Sequence, residues 1–155
     1  MLLNVTENLE LNAAAPAVWQ LLRNTEKLAA LVPGVQKVER VDSPDKEAYR
    51  VQVMEKVGPF KVTMKLEIAV TSAVELQSLA ASVKGGDTTG LSRATGTVAV
   101  ALKPSEAGTS MEFAVNVEVL GKLAALGAPV IRRRVTELFN EFGKNVTAEF
   151  GAAQS

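Results

Sequence analysis

GKLAALGAPVIRRRVTELFNEFGKNVTAEF, Gly121 to Phe150, is the one stretch long and periodic enough to read as a major helix. On a helical wheel Leu123, Gly127, Val130, Ile131, Val135, Leu138, Phe142 and Val146 share one broad stripe, while Arg133, Thr136, Glu137, Asn140 and Lys144 lie away from it. The helix therefore has one face to bury. Pro129 lacks an amide hydrogen and its ring crowds the carbonyl four residues back, so the regular helix starts near Ala128 or kinks there. From Pro129 to Phe150 it would span roughly 33 Å at about 1.5 Å per residue. The rest of the chain must supply the surface it packs against.

Working back to the start, residues 2–11 alternate, with Leu3, Val5, Leu9 and Leu11 on one side and Asn4, Thr6, Asn8 and Glu10 on the other. Only Glu7 breaks this half-buried strand. Pro16 marks the first turn of a short helix carrying Val18, Trp19, Leu21 and Leu22, and Thr25 offers an N-cap for a second one that runs to Leu31 and stops at Pro33-Gly34. From Val35 the period becomes two. Tyr49, Val51 and Val53 form one arm of a hairpin and Phe60 to Val70 the other, joined by Val57-Gly58-Pro59. A weaker strand is predicted over 74–83, then a turn-rich GGDTTG connection (Gly85 to Gly90), then strands over 94–102 and 111–119. The result is one α+β domain over 1–155: a curved seven-stranded antiparallel sheet wrapped around a long C-terminal helix, with two short helices after strand 1 and a frayed tail at 151–155.

Composition excludes several chemistries. The 155 residues carry 47% apolar side chains, enough for one core without a metal or disulfide. Lysine plus arginine and aspartate plus glutamate are 17 each, which argues against a nucleic-acid backbone as partner. Cysteine and histidine are both absent, so no thiolate site, no Cys nucleophile, no Ser-His-Asp triad and no His-based zinc site can be built. No basic leader or long apolar span is present in MLLNVTENLEL or elsewhere, so the expectation is a cytoplasmic protein.

A bent sheet and a single helix leave space between them unless large side chains fill it, and the chain has one Trp, one Tyr and five Phe. A hollow walled by Val, Ala, Gly and Met is the expectation. From the strands, Phe60, Met64, Phe113, Val115 and Val117 are placed around it; from the helix, Leu126, Val130, Ile131, Val135, Leu138 and Phe139. Each of these, taken singly, reads equally as core filling. Arg134 lies in line with the apolar stripe, three residues after Ile131 and four before Leu138. It either snorkels and pairs with Glu137 or Glu55, or donates to a ligand at the pocket mouth. Trp19 is a packing anchor or a second mouth residue.

The run AAPAVWQLLRNTEKLAALVPGVQKVE (Ala14 to Glu39), the hairpin tip VGPFKV, the segment EAGTSMEFAVNVEVLGKLAALG (Glu106 to Gly127) and the terminal helix together resemble the CoxG family, named for the G subunit of carbon monoxide dehydrogenase. This is a branch of the START/Bet v 1-like (SRPBCC) helix-grip superfamily. The resemblance implies a non-catalytic protein associated with molybdenum carbon monoxide dehydrogenase and with the membrane, carrying menaquinone or a similar quinone as ligand in the grip cavity. Some members carry a long C-terminal tail suited to membrane attachment, whereas this chain ends in GAAQS after Phe150. Contact with the inner face of the membrane is therefore expected to be peripheral, through apolar loops at the cavity mouth or through a partner. Two other functions stay open: a docking subunit whose convex sheet face holds the partner, and an aromatase/cyclase-like enzyme, which needs an acid or base inside the pocket.

Overall fold

A computed structural model describes residues 1–154, and side chains over 1–150, so the expected frayed tail at 151–155 falls outside the fully described part. The chain runs β1 (Leu2–Leu11), α1 (Ala15–Arg23), α2 (Thr25–Ala30), β2 (Val35–Val41), β3 (Ala48–Val57), β4 (Phe60–Val74), β5 (Ser78–Asp87), β6 (Ser92–Pro104), β7 (Thr109–Gly121), a 3-10 turn (Ala124–Leu126) and α3 (Ala128–Gln154). All seven strands lie in one antiparallel sheet in the order β1-β7-β6-β5-β4-β3-β2. From β2 to β7 each strand pairs with the next in sequence, and the two short helices carry the chain from β1 at one edge to β2 at the other.

Proline and glycine set most of the boundaries. Gly127, at φ 90°, ends the 3-10 turn, and Pro129 then sits in the first turn of α3, where its missing N–H is not needed. The helix thus begins at Ala128 without a kink; Gly121 ends β7, and Lys122 to Leu126 form a turn and the 3-10 segment rather than α-helix. At the β3–β4 tip Val57 pairs with Phe60, leaving Gly58-Pro59 as a two-residue loop with Gly58 at φ 58°, the conformation a type II′ hairpin asks of its first central residue. Asn24 rather than Thr25 caps α2, its Oδ1 accepting from the Lys27 N–H at 3.2 Å.

The β4–β5 turn departs from the sequence reading. The strand expected over 74–83 straddles it: β4 continues to Val74, Gln77 N–H bonds back to the Val74 carbonyl at 2.9 Å, and Leu76 takes φ 64°. No Gly or Pro marks this turn, and a left-handed leucine is a costly way to make one. The GG of the GGDTTG segment belongs to β5 instead. The turn follows it, held by Asp87, whose carboxylate accepts from Thr89 Oγ1 at 2.8 Å and from the Leu91 N–H at 2.8 Å. Burial pushes the Asp87 carboxyl up, but these hydrogen bonds outweigh it and leave its pKa below the ordinary value.

Register fixes which side chains face α3. Tyr49, Ile68, Val83, Gly96, Val117 and Leu3 form one continuous row across six strands. Val70, Ala81, Val98, Val115 and Val5 form the next. Two clusters pack on this inner face. In one, Leu11, Val18, Leu22, Val100 and Met111 pack with Phe142 and Val146 of α3. In the other, Leu3, Val5, Val57, Val62 and Val119 pack with Ile131. Phe113 stands edge-on to Phe139 (centroids 5.2 Å) and to Phe142 (6.0 Å), which makes the first cluster rich in aromatic contact.

Candidate functional site

Between those clusters the packing changes. Val53, Leu66, Ile68, Ala81, Val83 and Val98 share the inner face but belong to neither cluster, and each stays partly exposed. Leu138, on the facing helix, does the same. The cause is geometric. α3 comes nearest to β1, with β3 on its other flank, and the central rows offer only Gly85, Ala94 and Gly96 beside the branched residues. Apolar side chains that neither cluster buries therefore face α3 here.

The residues placed around a pocket from the sequence divide three ways. Met64, Val115, Val117, Leu126 and Val135 join the second cluster as partly buried members, with Ile131 at its buried centre. Phe113, Phe139 and Trp19 pack on the first cluster. Val130 and Arg134 line the cleft beside the hairpin tip, while Phe60 and Leu138 belong to neither cluster. Phe60 carries the Lys122 ammonium 4.3 Å from its ring centroid. Val130, placed on the buried stripe by its periodicity, is 36% exposed, because it lines the open cleft beside Gly58 of the hairpin tip. Leu66, Ile68, Val83 and Val98 are missed by the sequence pattern. The only signal for them is the register that aligns them in rows, which period-two alternation cannot supply.

Arg134 ties α3 to β3. Its Nε donates to Glu55 Oε2 at 3.0 Å, Nη2 reaches the same oxygen at 2.5 Å, and Nη1 donates to Glu137 at 3.0 Å. Hydrogen bonding to Glu55 raises the guanidinium pKa further. Gly34 lies against this pair: at φ 84°, any Cβ there would come within 2.5 Å of Glu55 Oε1 and of the Met54 carbonyl. The pair overlooks an open cleft of about 800 Å³ lined by Met54, Glu55, Gly58, Val130 and Arg133. Both structural partners weighed from the sequence are therefore real, and the arginine bridges helix to sheet. Arg134→Met is expected to cost about 1–2 kcal/mol, because Glu55, only 14% exposed, is left unpaired. Denaturant melts of Arg134→Met and of Arg134→Met/Glu55→Gln check this; the second variant should recover most of the loss.

Other titratable groups facing inward are already engaged, apart from one. Tyr49 donates to Glu47 Oε2 at 2.9 Å, and Glu47 also accepts from Arg23 Nη2 at 2.7 Å. Burial raises the Glu47 pKa, but the Arg23 and Tyr49 hydrogen bonds more than reverse this and hold it below the ordinary carboxylate value. Desolvation, then the nearby Glu47 charge, raises the Tyr49 phenol. The exception, Glu7 on the edge strand, shares the face of Phe113. Among the described residues no group of carboxylates is arranged to hold a metal ion, and no helix is long and apolar enough to cross a membrane.

A search of curated proteins returns no match. Among solved structures, a conserved protein from Geobacillus kaustophilus superposes at TM-score 0.82 with 20% identity over 99% of this chain and 97% of that one. The Zhui aromatase/cyclase from Streptomyces sp. R1128 matches at TM-score 0.71 with 14% identity over 100% and 97%. Ara h 8.0201 matches at 0.69 with 13% identity over 98% and 99%. At these identities the likeness is one of fold, the Bet v 1-like helix grip. A family model for the G subunit of carbon monoxide dehydrogenase (CoxG) matches residues 8–151. With nearly the whole helix-grip domain inside that match, the chain belongs to the CoxG family.

Proposed function

We propose that the protein binds an apolar ligand of the quinone class, menaquinone or a close relative, in the hollow between α3 and β4–β6. It passes this ligand between the membrane and carbon monoxide dehydrogenase or a related redox enzyme, without catalysing a reaction. One observation carries the reading: apolar side chains on the central strands that face the helix remain partly exposed between two well-packed clusters. A fold free to pack its core does not leave such a gap, and burying a ligand there recovers about 25 cal/mol per Å² of apolar surface.

What supports a carrier over an enzyme is chemistry. The chain has no histidine or cysteine, and the inward-facing Tyr49 and Glu55 are committed to Glu47 and Arg134. The aromatase/cyclase neighbour shares the fold only. The absence of any spanning helix among the described residues makes membrane contact peripheral in this reading. Organic extraction of the purified protein followed by mass spectrometry is expected to release a quinone or to show that added menaquinone analogue is retained through gel filtration. An empty protein that retains none of the analogue contradicts the proposal and favours a docking role.

A further inference from the structure

The opposite face of the sheet carries a feature that ligand carriage does not use. Residues alternating with the inner rows bring Lys37, Arg50, Lys65, Lys84 and Arg93 together along an outer groove of about 620 Å³. The pairing Lys37–Gln52–Lys65–Gly86–Arg93 sets three of these cations on alternate strands, about 10 Å apart at the usual strand spacing. Between Lys65 and Arg93 stands Gly86, where a Cβ would lie 2.7 Å from the Ser92 carbonyl and so is not accommodated. The only carboxylates in the groove, Glu39 and Glu67, are held by Lys37 at 2.8 Å and by Lys46 at 3.1 Å. Among the described residues Arg50, Lys65, Lys84 and Arg93 form no ion pair, although the chain as a whole is neutral.

The groove ends in apolar surface. Leu120 pairs with Arg93 on the same face and is 49% exposed; Leu91, its diagonal neighbour, is 55% exposed, and Leu2 on the far side is 61% exposed. A cationic channel running into a patch of leucines is the complement of a protein segment that is acidic along its length and apolar at one end. A nucleic acid fits poorly, because Glu39 and Glu67 interrupt the positive run. A bilayer fits poorly too, because the cations line a recess and the two carboxylates would face its anionic surface.

We infer that the outer face of β2–β6 docks an acidic protein segment of the partner enzyme, with its carboxylates over Lys65, Lys84 and Arg93 and an apolar anchor on Leu91 and Leu120. This rests on the reading of the protein as a carrier that meets a redox enzyme, but it places the meeting on the face away from the hollow. Delivery and docking then use separate surfaces, and one can fail without the other.

The probe is a short fluorescein-labelled peptide of alternating glutamate and glycine with a leucine-rich end, followed by anisotropy at low and high salt. Binding to the wild type should weaken as salt rises. Lys65→Glu/Arg93→Glu should weaken it by about tenfold or more, and Leu120→Ser by a smaller factor. The same reversal on α3, Arg132→Glu/Arg133→Glu, should leave it unchanged. Lys65→Gln/Arg93→Gln, milder toward folding, should fall between. Retention of the menaquinone analogue by the Lys65, Arg93 and Leu120 variants separates the docking surface from the carrier reading. No binding to the wild type, equal weakening by the α3 reversal, or a groove-dependent preference for phosphatidylglycerol vesicles over the peptide would each overturn the inference.

Discussion

Phe142→Ala is expected to lower stability by about 3–5 kcal/mol and the melting temperature by about 10 °C or more. The ring is 7% exposed and stands edge-on to Phe113 at 6.0 Å and tilted to Phe139 at 6.2 Å. Truncation removes both aromatic contacts and opens a cavity where α3 meets Val100, Leu102 and Met111. Little collapse can follow. α3 is tied at this end by Asn145, whose Nδ2 donates to the Leu31 carbonyl at 2.8 Å, and by the exposed Lys27–Glu149 pair at 3.3 Å. A loss below about 1 kcal/mol, read from urea denaturation, would mean that this cluster is not the anchor of the helix.

Val83→Phe has the opposite signature. Val83 faces α3 in the row Ile68–Val83–Gly96, partly exposed and outside both clusters. If space lies above it, the larger ring enters that space with a stability change within about 0.5 kcal/mol, while affinity for a menaquinone analogue falls by about tenfold or more. If instead the rows are tightly packed, the same substitution overfills a core and costs about 1–3 kcal/mol. Melting temperature and analogue affinity, measured together, separate the two.

The contrast between these substitutions shows what the sequence could and could not convey. Period-two alternation from Val35 to Val119 and the periodic helix after Pro129 were enough for the helix grip, because each element's local pattern agrees with its place in the fold. The partners of Arg134 were legible as well: Glu137 follows from helical spacing, and Glu55 from an inward-facing position on a strand near the hairpin tip. The β4–β5 turn was not legible. Leu76 adopts φ 64° without glycine or proline to mark it, so 74–77 reads as the start of a strand and the break falls too early, at 71–73.

The candidate site was legible only in outline. Phe113 and Phe139 satisfy the pattern of pocket-lining residues, yet tertiary packing turns them toward Phe142 and into the aromatic cluster. Leu66, Ile68, Val83 and Val98 come together only through strand register, a nonlocal property. The alignment of cations along the outer groove was hidden likewise. Lys37, Lys65 and Arg93 are far apart in sequence and become neighbours by pairing through β3 and β5.

The proposed ligand site can be read directly from methyl NMR spectra of leucine-, isoleucine- and valine-labelled protein titrated with a menaquinone analogue. Saturable shifts are expected at Leu66, Ile68, Val83, Val98 and Leu138, with smaller changes at Val100 and Val146 in the packed cluster. An absence of shifts at those five residues, or shifts confined to Leu91 and Leu120 on the outer face, would contradict a ligand site beneath α3.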